Sequence, residues 1–158
     1  MFNGREPLLK TRAALQKKLA LLQEFCLMTT LQQQALAGDD MQKFNELIEA
    51  RQKIIDIVDG LDKEIIIREQ AYLANARQAV FHNAAAEKLV RDMQRLKQNI
   101  QDCLLQVQEI NRQVMQELEE KHHALVKSMG KLRTARQADN LYRKKARQMR
   151  AYFIDKKK

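Results

Sequence analysis

Helix breakers are almost missing from this chain, whose 158 residues include four glycines and one proline. Tryptophan is absent, and aromatics make up 5 % of the residues. That scarcity excludes a loop-rich fold and a thick globular centre built on large rings. Only two cysteines occur, Cys26 and Cys103, both at apolar helical positions. They read as free buried thiols of an intracellular protein, not as a disulfide framework. No apolar run reaches eighteen residues, which excludes a helical membrane span. The opening MFNGREPLLK has no apolar h-region, so no cleaved signal is expected.

What fills the chain is Leu, Ala, Gln, Glu, Lys and Arg, the residues that favour helix. Pro7 suits a first helical turn. Beyond it, Leu8, Leu15, Leu19, Leu22, Cys26 and Leu36 recur with Thr29 and Gln33 in one 3.5-residue register. Gly38 is expected to end this helix as a C-cap, with Asp39 or Asp40 capping the next one. Phe44, Leu47, Ile48, Ile54, Ile55, Val58, Leu61 and Ile65 mark one face of a second helix. Gly60 inside it weakens it by about 1 kcal/mol relative to Ala. His82-Asn83 is the expected second turn. A third helix then carries Val90, Met93, Leu96, Ile100, Leu104, Val107, Val114, Leu118 and Leu125, and is expected to stop at Met129-Gly130. The spans are about 7–37, 40–80 and 84–129. At ~1.5 Å per residue they make rods of roughly 45, 60 and 70 Å. Short connections force neighbours to run antiparallel. The expected fold is all-α: an elongated antiparallel three-helix bundle or coiled coil over residues 1–130. A basic C-terminal docking segment, 131–158, follows.

Charge divides the chain at the same place. The formal net charge is +9. Residues 131–158 hold eleven Lys and Arg against Asp139 and Asp155, while residues 1–130 hold eighteen of each sign. The excess therefore belongs entirely to the tail. Leu132, Ala135, Tyr142, Ala146, Met149 and Phe153 thread it at helical spacing. That stripe is too thin for a core but suits docking into a groove. A neutral helical body presenting a basic, aromatic-bearing end reads as a binding protein.

Catalytic chemistry finds no foothold. His122 and His123 are adjacent, so on a helix they point about 100° apart and do not chelate; a metal pair needs i,i+4 spacing and a further ligand. Phosphate-loop, dinucleotide-loop and nucleophile-elbow motifs are absent. Glu119-Glu120 is ordinary solvated helix charge, and Cys26 on an apolar seam lacks the exposed, activating site a nucleophile needs. The expectation is no enzyme, no cofactor, no metal and no small-molecule substrate.

Leu21 to Glu64 resembles the first hairpin of the FlgN/FliT-like flagellar type III export chaperones. The matching residues are Ala35-Leu36-Ala37-Gly38-Asp39 at the turn, then Leu47, Arg51-Gln52, Ile54-Ile55, Val58-Asp59 and Leu61. Glu109-Ile110-Asn111-Arg112-Gln113 resembles a patch in the third helix of FlgN-like members, although the second Asn of that patch is absent here. Tyr142 with Tyr152-Phe153-Ile154-Asp155-Lys156-Lys157 resembles the ending of some such sequences. The resemblance implies a cytoplasmic, catalytically inert helical protein. It would bind a terminal amphipathic helix of an exported flagellar subunit, prevent its premature association and deliver it to a component of the export gate. The implied contact residues are Val107, Asn111, Val114, Leu118, Leu125, Leu132, Tyr142, Met149 and Phe153. Val107, Val114 and Leu118 equally suit the bundle core. Two alternatives remain open: a FliJ-like coiled-coil component of the export apparatus, which favours a two-helix hairpin, and a helical protein binding nucleic acid or anionic membrane through its tail. Polar seam positions such as Thr29 and Gln33 fit a monomer or a homodimer.

Overall fold

The computed structural model describes the backbone of residues 5–76 and 84–155, and side chains over 6–74 and 84–148. Three helices fill these ranges: α1 (Arg5–Ala37), α2 (Met41–Ala76) and α3 (Ala84–Asp155). No strand occurs among the described residues. The fold is an all-α helical bundle, as the composition and periodicity imply. The chain divides into two units, Met1–Met115 and Gln116–Lys158.

In the first unit the helices run up, down and up. Lys18 pairs with Asp62 at 2.5 Å, and Arg68 reaches the Lys10 carbonyl at 3.3 Å, so α1 and α2 are antiparallel. Lys97 of α3 pairs with Glu69 of α2 at 2.6 Å. Arg12 of α1 lies 3.6 Å from Asp92 of α3, and Gln33 donates to Gln113 at 3.0 Å, so α1 and α3 run parallel. The core has two connected clusters. Leu8, Ala14, Leu15, Leu22, Leu61, Ile65, Leu89, Met93 and Ile100 form one. Phe25, Cys26, Ile54 and Val107 form the other. Burying such side chains supplies roughly 1.5–3 kcal/mol each, before the entropy of ordering them is subtracted.

Most of the expected faces are the buried ones, but each stripe is wider or narrower than read. In α1, Thr11, Ala14, Phe25, Gln32 and Ala35 are buried too, because α1 packs against both α2 and α3. Thr29 is fully buried, and its hydroxyl donates to the Phe25 carbonyl at 2.7 Å, so it costs the core no unpaired donor. In α2, Ile48 and Ile55 face outward, as does Leu104 in α3.

The first turn falls where expected, at Gly38 with Asp40 capping the next helix, and its geometry adds a detail. Gly38 does not take the left-handed conformation; Asp39 does, at φ 57°. The Asp40 N–H donates to the Ala35 carbonyl at 2.9 Å and the Asp39 N–H to the Leu36 carbonyl at 3.1 Å. This is a Schellman closure with Gly38 as the last half-helical residue and Asp39 beyond it. Asp40 then caps α2, its carboxylate accepting from the Lys43 N–H at 3.0 Å. The expected turn at His82-Asn83, and the stretch 77–80 assigned to the second helix, lie outside the described residues.

The third helix does not stop at Met129-Gly130. α3 continues through Gly130 to Asp155, so the segment from 131 is helix continuous with the bundle's third helix. A lone glycine costs a helix only about 1 kcal/mol. No proline follows Gly130 to turn that penalty into a break, and Lys127, Met129, Lys131, Leu132 and Arg133 all favour helix.

Candidate partner-binding surface

Two features stand apart from ordinary bundle packing. The first is a polar cluster inside the first unit. Arg51, in mid-α2, donates through Nη1 to the Gln32 side-chain oxygen and through Nη2 to Asn111 Oδ1 at 2.9 Å. Its guanidinium carbon sits 4.4 Å from the centroid of the Phe25 ring. Gln32 is 3 % exposed. Arg51 Nε is buried without a hydrogen-bond partner, and no carboxylate pairs with the guanidinium among the described residues. Burial accordingly lowers the Arg51 pKa from its ordinary value. The ring face and two amide oxygens carry the positive charge instead.

Near this cluster α3 carries Glu109, which accepts from Arg112 at 2.7 and 3.0 Å and from Gln113 at 2.9 Å. The Arg112 hydrogen bond, then the Gln113 one, lowers its pKa to about 2. Burial raises the pKa of the Cys103 thiol, with a smaller push from Cys26.

The second feature is the exposed side of the Gln116–Lys158 unit. Leu125, Val126, Met129, Leu132 and Leu141 are each more than half exposed, and Tyr142 is 78 % exposed. Every described side chain from 122 to 148 is exposed. Lys131, Arg133, Arg136, Arg143, Lys144, Lys145 and Arg147 flank the apolar positions, and Arg143 pairs with Asp139 at 3.0 Å.

The expected contact residues therefore fall into different places. Val107 and Val114 are buried in the first unit and serve its own packing. Asn111 is held by Arg51. Leu118 is half-buried, whereas Leu125, Leu132 and Tyr142 lie open to solvent. Met149 and Phe153 are on the helix, but their side chains lie outside the described residues. Sequence reasoning missed Val126, Met129 and Leu141, which widen the apolar stripe; the available signal was Met129 at four from Leu125 and three from Leu132, with Val126 and Leu141 beside Leu125 and Tyr142.

The histidine rings at 122 and 123 sit 6.2 Å apart and steeply inclined, at 64°. No group of three or more His, Cys, Asp or Glu gathers to hold a metal among the described residues. No helix there is long and apolar enough to cross a membrane. Comparison with protein families, with curated proteins and with solved structures finds no match for this chain.

Proposed function

We propose that the protein is a cytoplasmic export chaperone of the FlgN/FliT type. It holds a terminal amphipathic helix of an exported flagellar subunit until the export gate receives it. The observation that carries this reading is the exposed apolar stripe of Leu125, Val126, Met129, Leu132, Leu141 and Tyr142 on a helix flanked by cations. An apolar stripe of this size on a soluble helix is a docking face, and an amphipathic helix is its natural complement. The hydrogen bond between Arg51 and Asn111 adds support, because it joins two of the segments that carry the family resemblance. Three helices rather than a hairpin also favour the chaperone over a FliJ-like component. Val107 and Val114 drop from the contact set, being buried.

A second reading follows from the same unit's exposed cations: the helix neutralises phosphates of nucleic acid or an anionic membrane. Calorimetric titration of the full chain with peptides spanning the terminal helices of flagellar subunits tests the first reading. Saturable one-to-one binding of one such peptide at micromolar or better affinity is expected. Failure of every terminal-helix peptide to bind would overturn it.

A further inference from the structure

The two cysteines are far apart in sequence and close in the fold. Cys26 of α1 is buried in the cluster with Phe25, Ile54 and Val107, and Cys103 of α3 packs against that same cluster. Their relative level follows from the contacts that tie α1 to α3. Arg12 lies beside Asp92 and Gln33 beside Gln113, the same offset of 80 residues between parallel helices at both places. Arg12, Leu19, Cys26 and Gln33 follow one another at heptad spacing, so Cys26 shares the edge of α1 that meets α3. That offset sets Cys26 level with Gln106 and leaves Cys103 about 4.5 Å away along the axis. The Cα atoms of a disulfide are ~4.4–6.8 Å apart, so a small adjustment of the two helices joins the sulfurs. Electrostatics records the same nearness: the Cys103 pKa is raised first by burial and then by Cys26.

Access orders the two thiols. Cys26 is 9 % exposed and Cys103 is half-buried. A small oxidant in solution therefore meets Cys103 first, and Cys26 waits behind it in the apolar cluster.

We propose that Cys26 and Cys103 form a reversible oxidation site, closed by a disulfide from α1 to α3 when the chain meets a small-molecule disulfide such as oxidised glutathione. The Cys103 thiol gives its proton to solvent, and its sulfur attacks one sulfur of the oxidant, releasing one small thiolate. Cys26 then loses its proton and attacks Cys103 Sγ, releasing the second. Two protein thiols lose two electrons in all, and the oxidant is reduced to two small thiols that take up the two protons. Excess reduced thiol reverses both steps, so the bond is absent in a reducing compartment and forms under oxidation. The closed loop contains all of α2, so the link restricts the unfolded chain strongly. None of this depends on the export reading. It concerns the first unit alone and is tested without any partner.

The test uses the full chain, folded, incubated with oxidised glutathione. Thiol counting should fall from two free thiols to none. Peptide mass mapping should find Cys26 linked to Cys103, with the chain still at its 18.5 kDa mass on a non-reducing gel. The thermal midpoint should rise by about 5 °C or more and return on reduction. Cys26→Ser should stop at a mixed disulfide of Cys103 with glutathione. The proposal is overturned by a native chain that also stops at that mixed disulfide. It is overturned equally by thiols that react only in urea, by a disulfide between two chains, or by an oxidised chain whose midpoint does not rise.

Discussion

Arg51 places a guanidinium inside the bundle without a carboxylate to balance it. Its charge rests on Gln32, Asn111 and the Phe25 ring. Truncating Asn111 to Ala leaves an Nη group of a half-buried cation without its partner, which costs about 1–3 kcal/mol. Urea unfolding of Asn111→Ala is expected to show a loss in that range at unchanged m-value; a loss below about 0.5 kcal/mol would mean that water replaces the amide freely. A second residue-scale effect is local. Glu109 titrates near 2 in the folded chain against an ordinary 4.5, held down first by Arg112. A carboxyl whose pKa falls on folding adds stability above about pH 4.5 and loses it as pH drops toward 2. Because the pair is exposed the effect is small and salt-sensitive. NMR titration of Glu109 should give a midpoint well below 4, moving upward in Arg112→Ala; an ordinary midpoint in the native chain contradicts the geometry. Neither Arg51's partners nor its ring contact was legible in the sequence, since they come from the two other helices, α1 and α3. Only the types and positions of Arg51 and Asn111 were.

At the scale of elements, periodicity located the buried faces well. Leu8, Leu15, Leu22, Phe44, Ile54, Leu61, Met93, Ile100 and Val107 are all core. It could not say where a face loses its cover. Leu125 and Leu132 continue the helical spacing of Val107 and Val114 yet lie exposed, because spacing records which side of a helix is apolar and not what packs there. The register itself holds a clue. Leu89, Met93, Leu96, Ile100, Cys103, Val107, Ile110 and Val114 alternate steps of four and three, and Val114 to Leu118 repeats a step of four. That is a stutter, a local unwinding of the seam, and it falls where the two units divide at Met115. One glycine was misread, Gly130 as a stop; Gly38 does cap α1, but the left-handed residue of the turn is Asp39. A Cβ at Gly38 would make ordinary contacts, 3.4 Å from the Gln34 carbonyl oxygen and 3.8 Å from that of Ala35. Gly38→Ala is therefore expected to hold or raise stability by up to about 1 kcal/mol, whereas a left-handed glycine would lose that much or more. Asp40→Ala, by contrast, removes the α2 cap and should cost about 1 kcal/mol. Thermal unfolding of the two variants separates these outcomes, and a large loss in Gly38→Ala would contradict the turn assignment.

At the scale of the molecule, the division of charge was readable from residue counts alone. The charge changes at Gly130, whereas the two units divide at Met115. The function proposed here rests on the second unit binding protein through its apolar stripe, with its cations steering the encounter. The competing account has the cations do the binding through phosphates. The two differ in which side chains matter and in their response to salt. The deciding measurement is calorimetric titration of two variants, at two salt concentrations, against a flagellar-subunit terminal helix and against a DNA duplex. One variant is Tyr142→Ala with Phe153→Ala; the other neutralises Lys144, Lys145 and Lys156. The account predicts that the aromatic variant loses more than ~2 kcal/mol of subunit binding, while the charge variant changes mainly association rate and salt dependence. Tight DNA binding that falls linearly with log salt, survives the aromatic substitutions and is accompanied by no subunit binding would contradict it.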